Sequence, residues 1–343
     1  MKGVLLVNLG SPDSPTPKDV KPYLDEFLMD ERVIDAPKWL RTILVRGVIL
    51  QTRPKKSAAA YQKIWWEEGS PLIVISERFL HKVRTKTDLP VALGMRYGSG
   101  SIEEGLKELS EKGVDDVLLV PLYPHYAMSS YETVVVKTLE IQQDKFPQME
   151  ITTLPAFYRT PGYIKVLADS IQDHLKDFEY DHVLFSYHGI PERHIRKSDP
   201  TRFHCKIDGK CCSVNSVAHN SCYRHQCYDT TERIIQTLDL PREKVSSSFQ
   251  SRLAGDPWLK PYTDYEFKRL AEEGKTRLAV ITPAFVSDCL ETLEEIAMEG
   301  KEDFLEAGGT EYIHIPCLND REDWVSLMGE WIDQWAETDA LPV

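Results

Sequence analysis

The sequence lacks several features that would assign it to a large class of proteins. No apolar run among its 343 residues is long enough to span a bilayer. The opening residues, MKGVLLVNLGSP, lack the charged leader and cleavage site of a signal peptide. Positive charge is scarce, since 41 lysines and arginines stand against 54 acidic residues and leave a net charge of −13. Because nucleic-acid binders neutralise phosphates, we expect no nucleic-acid partner, and we expect a cytoplasmic protein.

What the sequence does contain is a regular alternation of strands and helices. Four short apolar runs in each half, separated by helical periodicity, predict an α/β fold. We expect two doubly wound, Rossmann-like domains, each with a four-stranded parallel sheet flanked by helices. The predicted strands are Gly3–Leu9, Pro90–Met95, Asp116–Pro121, Met149–Leu154, His182–Tyr187, Lys244–Phe249, Arg277–Ile281 and Glu311–Ile315.

The domains are expected over residues 1–155 and 156–316, and residues 317–343 are expected to form a C-terminal helix that packs back on them. The segments DDVLLVPLYP (115–124) and TRLAVITPAF (276–285) look alike, and each precedes a helix with a Glu-Thr pair. This is a weak indication of internal duplication.

Ligands of such folds bind beyond the carboxyl ends of the strands. No P-loop and no GxGxxG sequence follows any strand, so the sequence does not predict a nucleotide site. The residues that do follow the strands are Leu9 to Ser11, Arg96-Tyr97, Tyr123 to Tyr126, His188-Gly189, Ser251-Arg252 and Phe285 to Glu291.

Residues 36–56, called the lip below, combine apolar and basic side chains and contain no acid. Helices are predicted at Lys38–Leu50 and Ala58–Trp66, with Arg53-Pro54 between them. A surface of this kind suits an anionic apolar ligand or a membrane surface. A core helix with solvated lysines and arginines fits the pattern equally well.

A row of carboxylates follows the strand at Leu278–Ile281. Glu291, Glu295 and Glu299 are spaced four residues apart on a predicted helix over Leu290–Glu299, so they form a stripe about 12 Å long. Like charges in a row repel one another unless a cation lies along them, which favours a path for a divalent metal ion. Two alternatives stay open: a capping box of Asp288 with Glu291, and a solvated helix face.

His188 ends the strand HVLFSYHG and precedes a glycine that leaves its imidazole less crowded. An imidazole titrates near neutral pH, so His188 is a candidate for proton transfer or metal binding. A histidine at a strand end is also often purely structural, and a pairing with Glu291 favours the chemical role.

Seven segments in order resemble the ferrochelatase family, which inserts ferrous iron into a porphyrin to make haem. They are VNLGSP (7–12), EEGSP (67–71), GMRYG (94–98), LYPHYA (122–127), SYHGIP (186–191), FQSRLAGDPWLKP (249–261) and PAFVSDCLETLEEI (283–296). The resemblance implies the chelatase fold and the insertion of Fe2+ into protoporphyrin IX with release of two protons. It implies that His188 and Glu291 are catalytic and face each other across the porphyrin cleft.

The resemblance further implies that iron is handled by His188, Glu291, Glu295 and Glu299. It implies porphyrin contacts for Leu9, Arg53, Lys55, Ser70, Arg96, Tyr123, Ser251, Trp258 and Phe285, with Arg53, Lys55 and Ser251 near the propionates. The lip would give at most a peripheral membrane contact, and the protein would be a monomer or a homodimer. Whether His188 accepts protons or binds metal stays open, as does coproporphyrin as an alternative substrate.

Residues 204–227, called the cysteine segment below, hold five of the seven cysteines. So many cysteines in a cytoplasmic protein favour a metal site over disulfides, although their spacing does not match a zinc ribbon. The segment resembles an insertion that carries a [2Fe–2S] cluster in some bacterial ferrochelatases, which implies Cys205, Cys211, Cys212 and Cys222 as ligands. Zinc and the absence of metal are the alternatives.

Two other function classes are compatible with the pattern. One is a chelatase that acts on another tetrapyrrole, such as cobalt insertion into sirohydrochlorin. The other is a carrier of haem or metal that catalyses nothing and has no need of Glu291.

Overall fold

A computed structural model describes residues 1–252 and 256–342. The fold is α/β, and all of the predicted strands are confirmed, with bounds that differ by at most one residue. The strands are β1 (Lys2–Asn8), β2 (Val91–Met95), β3 (Asp116–Pro121), β4 (Glu150–Thr153), β5 (His182–His188), β6 (Val245–Gln250), β7 (Arg277–Ile281) and β8 (Glu311–Ile315).

The strands form two parallel four-stranded sheets with the same topology. The strand order is β2-β1-β3-β4 in one sheet and β6-β5-β7-β8 in the other. β3 and β7, which contain the two similar sequence segments, therefore occupy equivalent places, and this supports the internal duplication. In each sheet the order reverses between the first and third strands, which is where ligands of doubly wound sheets bind.

Helices cover the sheets and connect successive strands. The α-helices are α1 (Pro17–Leu28), α2 (Lys38–Thr42), α3 (Leu50–Ile64), α4 (Pro71–Val83), α5 (Ile102–Glu111), α6 (Thr133–Lys145), α7 (Pro161–Leu175), α8 (Glu192–Lys197), α9 (Tyr223–Leu238), α10 (Thr263–Glu272), α11 (Lys301–Glu306) and α12 (Glu322–Thr338). Three segments form wider π-helical turns: Ile43–Ile49, Met128–Glu132 and Glu291–Gly300. Short 3-10 turns occur at Lys210–Ser213, Val217–Asn220 and Arg242–Lys244.

The described residues divide into two compact units. The first contains Met1–Tyr123, Met128–Pro155 and Asn319–Pro342, and the second contains Pro124–Ala127 and Ala156–Leu318. The division differs from the prediction in two places. Pro124–Ala127 belongs to the second unit, and the C-terminal helix α12 belongs to the first, where its Trp324 stacks on Phe79 with ring centroids 5.7 Å apart.

Each unit has its own hydrophobic core around its sheet. Strand residues such as Leu5 and Leu119 are fully buried in the first unit, as are Leu184 and Val280 in the second. Parallel sheets covered on both faces need such continuous apolar runs, because side chains on both faces are buried. The same runs identified the strands in the sequence.

The predicted interruption at Arg53-Pro54 is wrong. The chain continues from α2 through the π-helical turn at Ile43–Ile49 into α3, and α3 contains Pro54. Where the π-helical turn passes into α3, the Gln51 side-chain amide donates to the Arg46 carbonyl at 2.8 Å. α3 keeps a buried stripe that offsets the missing proline N–H: Leu50, Pro54, Ala58, Tyr61 and Ile64.

No helix in the described part of the chain is both long and apolar enough to cross a membrane.

Candidate active site

His188 is the last residue of β5, beside the point where the strand order of the second sheet reverses. Its Nδ1 lies 2.7 Å from the carbonyl oxygen of Gly189. A carbonyl can only accept a hydrogen bond, so Nδ1 carries the proton and Nε2 keeps a free lone pair. Burial lowers the pKa of His188, and the negative charge of Glu291 acts in the opposite direction. The imidazole is therefore a neutral base with a carboxylate within electrostatic range.

Gly189 lies where the end of β5 packs against the end of β6. A Cβ on this residue would lie 2.6 Å from the Gln250 carbonyl oxygen and 3.3 Å from the buried ring of Trp258. The Gly189 N–H also donates to that Gln250 carbonyl at 2.7 Å. The tight packing of the end of β5 against the end of β6 therefore requires glycine, a reason that the sequence did not indicate.

The helix that carries the carboxylates is a π-helix over Glu291–Gly300, where the sequence predicts a regular α-helix. π-helical turns are rare and occur often at functional sites. Along this carboxylate helix Glu291 and Glu295 are half-buried, whereas Glu299, the last of the three in the chain, is exposed. Burial raises the pKa of Glu295 to about 7, and the charges of Glu291 and Glu299 add to this rise while hydrogen bonds from Ser251 oppose it. The three carboxylates therefore influence one another electrostatically, as the predicted stripe requires.

Thr292 forms hydrogen bonds at the start of this helix. The Thr292 hydroxyl donates to the Asp288 carboxylate at 2.8 Å and accepts from the Cys289 N–H at 3.0 Å. The Cys317 N–H is 3.4 Å from the same Asp288 oxygen. The Glu291 carboxylate lies close enough to His188 for its charge to act on the imidazole.

Ser251, predicted to meet a propionate, is bound to Glu295. Its backbone N–H donates to Glu295 Oε1 at 2.8 Å, and its hydroxyl donates to Oε2 of the same carboxylate. Ser251 adopts a positive φ of 65°, which is uncommon for a residue other than glycine. The structure therefore places this serine on the carboxylate side of the site.

Gln250 is a residue at this site that the sequence did not single out. Its side-chain oxygen accepts from the Ser186 hydroxyl at 2.6 Å, and its amide donates to the Glu291 backbone carbonyl at 3.2 Å. It thus links β5, β6 and the carboxylate helix. Its position at the carboxyl end of a predicted strand was the sequence feature that could have identified it.

Of the other predicted porphyrin contacts, Phe285 and Trp258 lie near His188 in the second unit. The Phe285 ring is nearly perpendicular to the imidazole, with ring centroids 6.0 Å apart. The Trp258 ring lies against Gly189, the next residue along the chain. The ends of β5, β6 and β7 therefore bring together two apolar rings, one base and two carboxylates.

The remaining predicted contacts lie in the first unit, in varied surroundings. Leu9 is half-buried beside the core, Tyr123 is buried within it, and Ser70 is buried at the start of α4. Arg53 and Lys55 are exposed on α3.

Arg96 belongs to a buried hydrogen-bond network of the first unit. Its guanidinium donates to Asp30 at 2.5 Å and to the Thr133 hydroxyl at 2.7 Å. The Tyr97 hydroxyl donates to the same Asp30 carboxylate at 2.8 Å. The fold thus uses this arginine to hold α1, β2 and α6 in place.

The lip exposes its apolar side chains, so the alternative of a core helix is wrong. Trp39, Ile43 and Val48 are exposed by 67%, 58% and 60%. Arg46 is also exposed and pairs with Asp25 at 2.9 Å, whereas Arg41 is buried and donates to two backbone carbonyls. The lip is an apolar surface with basic side chains.

The cysteine segment brings the predicted ligands close to one another. Hydrogen bonding to Cys222 lowers the pKa of Cys205, and the pKa of Cys222 is raised to about 11 mainly by its bond with Cys205. The proximity of Cys222, together with burial, raises the pKa of Cys212. Nevertheless, within the part of the chain that the structure describes, no three or more His, Cys, Asp or Glu side chains form a group that could hold a metal ion.

A buried arginine accompanies these thiols. Arg224 is only 5% exposed, its Nη2 is 3.5 Å from Cys211 Sγ, and its Nε has no hydrogen-bond partner. Among the described residues no acidic side chain pairs with it. The buried Asp199 also lies at the segment, but its carboxylate accepts from the Cys205 N–H at 2.9 Å, so the thiols are the groups that contact the Arg224 guanidinium.

With the geometry established, the chain can be compared with known proteins. Residues 1–335 match the model of the ferrochelatase family. A ferrochelatase from Opitutus terrae is 47% identical over 339 residues and is covered over 98% of both chains. One from Azotobacter vinelandii is 47% identical over 329 residues, which are 95% of this chain and 97% of the relative.

A solved structure of SirB from Bacillus subtilis with Fe3+ has a TM-score of 0.56 and 11% identity, over 100% of this chain and 99% of that one. At this identity the likeness shows the fold alone, and it confirms the predicted chelatase architecture. The relatives at 47% identity decide between the function classes, because they share nearly the full length and are ferrochelatases. The chain therefore belongs to the ferrochelatase family, whose reaction is the insertion of iron into a porphyrin in haem biosynthesis.

Proposed function

We propose that the chain inserts Fe2+ into protoporphyrin IX, with His188 as the acceptor of the pyrrole protons and Glu291 as its partner. The observation that carries this proposal is the tautomer of His188. Its Nδ1–H is bound to Gly189, so Nε2 is free to accept a proton, and Glu291 lies within electrostatic range. This arrangement is that of a general base supported by a carboxylate.

The reaction replaces two pyrrole protons by one ferrous ion, so charge balances when both protons leave. His188 Nε2 takes a proton and becomes an imidazolium, which the Glu291 carboxylate stabilises. Transfer of that proton to the carboxylate row restores the neutral imidazole for the second proton. Glu295 suits such a transfer, because a carboxyl whose pKa is about 7 can both bind and release protons near neutral pH.

The carboxylate row also provides the proposed path for iron. Glu299 is exposed, Glu295 is half-buried, and Glu291 lies nearest to His188. Carboxylate oxygens are suitable ligands for a hard divalent ion, and a graded row brings it from solvent to the ring. Iron then meets the porphyrin on the side where its protons are removed.

For the porphyrin we propose contacts with the rings of Trp258 and Phe285 and with Leu9 and Tyr123. Arg53 and Lys55, both exposed, are proposed to meet the propionates. Ser70 and Arg96 remain predictions of the sequence. For Arg96 we favour an indirect effect, because Asp30 and Thr133 already bind its guanidinium.

An anaerobic assay with Fe2+ and protoporphyrin IX tests the function directly. The wild type is expected to form haem, and His188→Ala is expected to bind the porphyrin while forming none, because the base is missing. His174→Ala serves as the control, since this histidine of the same unit bonds to the Ser170 carbonyl of its own helix at 2.8 Å. Full turnover by His188→Ala would contradict the assignment. Parallel reactions with coproporphyrin, and with Co2+ and sirohydrochlorin, test the substrate.

We further propose that the cysteine segment holds a [2Fe–2S] cluster on Cys205, Cys211, Cys212 and Cys222. The buried Arg224 fits such a group. Four thiolates and the cluster core carry a net negative charge, which would supply the counter-charge that this guanidinium lacks among the described acidic residues. When bound, the cluster supplies a one-electron centre, although porphyrin metallation needs no electron transfer.

Chemical analysis of anaerobically purified protein tests this proposal. We expect two irons and two sulfides per chain, with the visible absorption of such a cluster, and a loss of both in Cys211→Ser. Cys227→Ser is the matched control, because this fully buried cysteine lies in α9 outside the proposed ligand set. Protein without iron and sulfide would contradict the proposal, and bound zinc would favour the alternative.

We also propose that the lip makes peripheral contact with an anionic membrane surface from the cytoplasmic side. Exposed Trp39, Ile43 and Val48 would enter the interface, while Lys38 and Arg53 would lie near lipid phosphates.

A further inference from the structure

We propose that Ser251 is a positioning residue for Glu295, so that its loss weakens the handling of iron and leaves porphyrin binding unchanged. This inference rests on the proposed function, because it assumes that Glu295 handles the ferrous ion. It departs from the expectation that Ser251 binds a propionate.

Both hydrogen-bond donors of Ser251 are used by one carboxylate. The N–H donates to Glu295 Oε1 at 2.8 Å and the hydroxyl donates to Oε2, so the two residues form a bidentate pair across 44 positions of sequence. A propionate would have to displace Glu295 in order to reach the same donors.

The backbone conformation of Ser251 permits this contact with Glu295. Its φ of 65° lies in the left-handed region, which costs free energy for a residue with a side chain. Such a conformation persists where the surroundings impose it, and it is concentrated at functional sites. Here it turns the N–H and the hydroxyl towards the same carboxylate.

Gln250, the residue before Ser251, forms hydrogen bonds with neighbouring parts of the site. The Gln250 carbonyl binds the Gly189 N–H beside His188, and its side chain joins Ser186 to the Glu291 carbonyl. The backbone beside the base, the backbone of Glu291 and the carboxylate of Glu295 are thus all bound by two consecutive residues, the last of β6 and the one after it. Ser251 sets the carboxylate that lies one helical turn further from the base.

Steady-state kinetics of Ser251→Ala and Ser251→Gly distinguish the two roles. Both variants lose the hydroxyl and keep the N–H, and glycine also removes the backbone strain. We expect the KM for Fe2+ to rise about tenfold in both, since one charge-assisted hydrogen bond is lost. The KM for protoporphyrin is expected to change less than twofold. Ser248→Ala is the matched control, because this buried serine of β6, three residues before Ser251, has its hydroxyl bonded to Thr263 at 2.8 Å and not to a carboxylate.

Titration of Fe2+ into the porphyrin-free protein adds a readout that does not depend on turnover, and we expect about tenfold weaker binding in both variants. A rise in the porphyrin KM with unchanged iron affinity would overturn the inference and leave the proposed function intact. A wild type without haem formation would overturn the proposed function itself. Unchanged kinetics and unchanged iron binding in both variants would also reject the positioning role.

Discussion

Arg224 provides a test in which the sign of the effect depends on whether the cysteine segment holds a cluster. The guanidinium is 5% exposed, and the partners that the structure gives it are thiols. We consider Arg224→Met, which keeps the length of the side chain and removes the charge. Without a cluster, the substitution removes a buried charge that has no acidic partner among the described residues, so it should stabilise the protein. Replacement of poorly compensated buried charges by apolar groups typically gains about 1 to 4 kcal/mol.

With a cluster bound, the same substitution removes the counter-charge of an anionic centre. At an effective dielectric constant of about 20 and a separation of about 5 Å, one unit charge contributes about 3 kcal/mol. The cluster should then be lost more readily. Its reduction potential should become more negative by roughly 130 mV, because the added electron is no longer stabilised by the guanidinium.

Two measurements check this reasoning. Urea unfolding of the chelator-treated protein should show a higher free energy of unfolding for Arg224→Met than for wild type. Redox titration of the protein as purified should show the lower potential. Arg233→Met is the control, since this arginine of the same helix pairs with Asp229 at 3.0 Å and should change neither quantity in this way. A less stable chelator-treated variant would refute the argument, because it would mean that neutral thiols compensate the charge.

Three further predictions concern other parts of the molecule. Glu291→Gln should lower haem formation about 100-fold, the lower end of the usual contribution of acid–base catalysis, while porphyrin binding measured by fluorescence stays close to wild type. Burial lowers the pKa of His125 to about 3, so below pH 6.5 the unfolded chain takes up a proton that the folded chain excludes. The free energy of unfolding should therefore fall by about 2 kcal/mol from this group between pH 6.5 and pH 5, and calorimetry or urea unfolding of His125→Gln should show a smaller fall. Replacement of Trp39, Ile43 and Val48 by serine should abolish flotation with vesicles of anionic lipid. The unfolding midpoint should stay nearly unchanged, because these side chains are exposed. Equal flotation of the variant and the wild type would reject the membrane contact.

Local apolar runs and short connections were enough to predict the strands, their parallel arrangement and the fold class. The rule that ligands bind beyond strand ends selected His188, Ser251 and the segment from Phe285 to Glu291, and these residues do lie together in the second unit. The Glu-Thr pairs after two similar strands indicated the duplication, and both sheets have the same order.

The partner of each polar group depends on contacts between distant parts of the chain. The predicted break at Pro54 is wrong because α3 continues through it on a buried stripe. The close packing of Gly189 depends on a Gln250 atom that another strand brings near. Ser251 meets Glu295 across 44 residues, and no pattern near either residue encodes that pairing.

The same limit applies to exposure. A helix with basic and apolar residues has the same sequence pattern whether it faces a core or solvent. Its exposure in the lip follows from the packing of the first unit. Arg224 is the converse case, a charged residue whose burial follows from the fold around it. Local sequence therefore determines which elements form, whereas burial and pairing arise from contacts between distant residues, which depend on the whole fold.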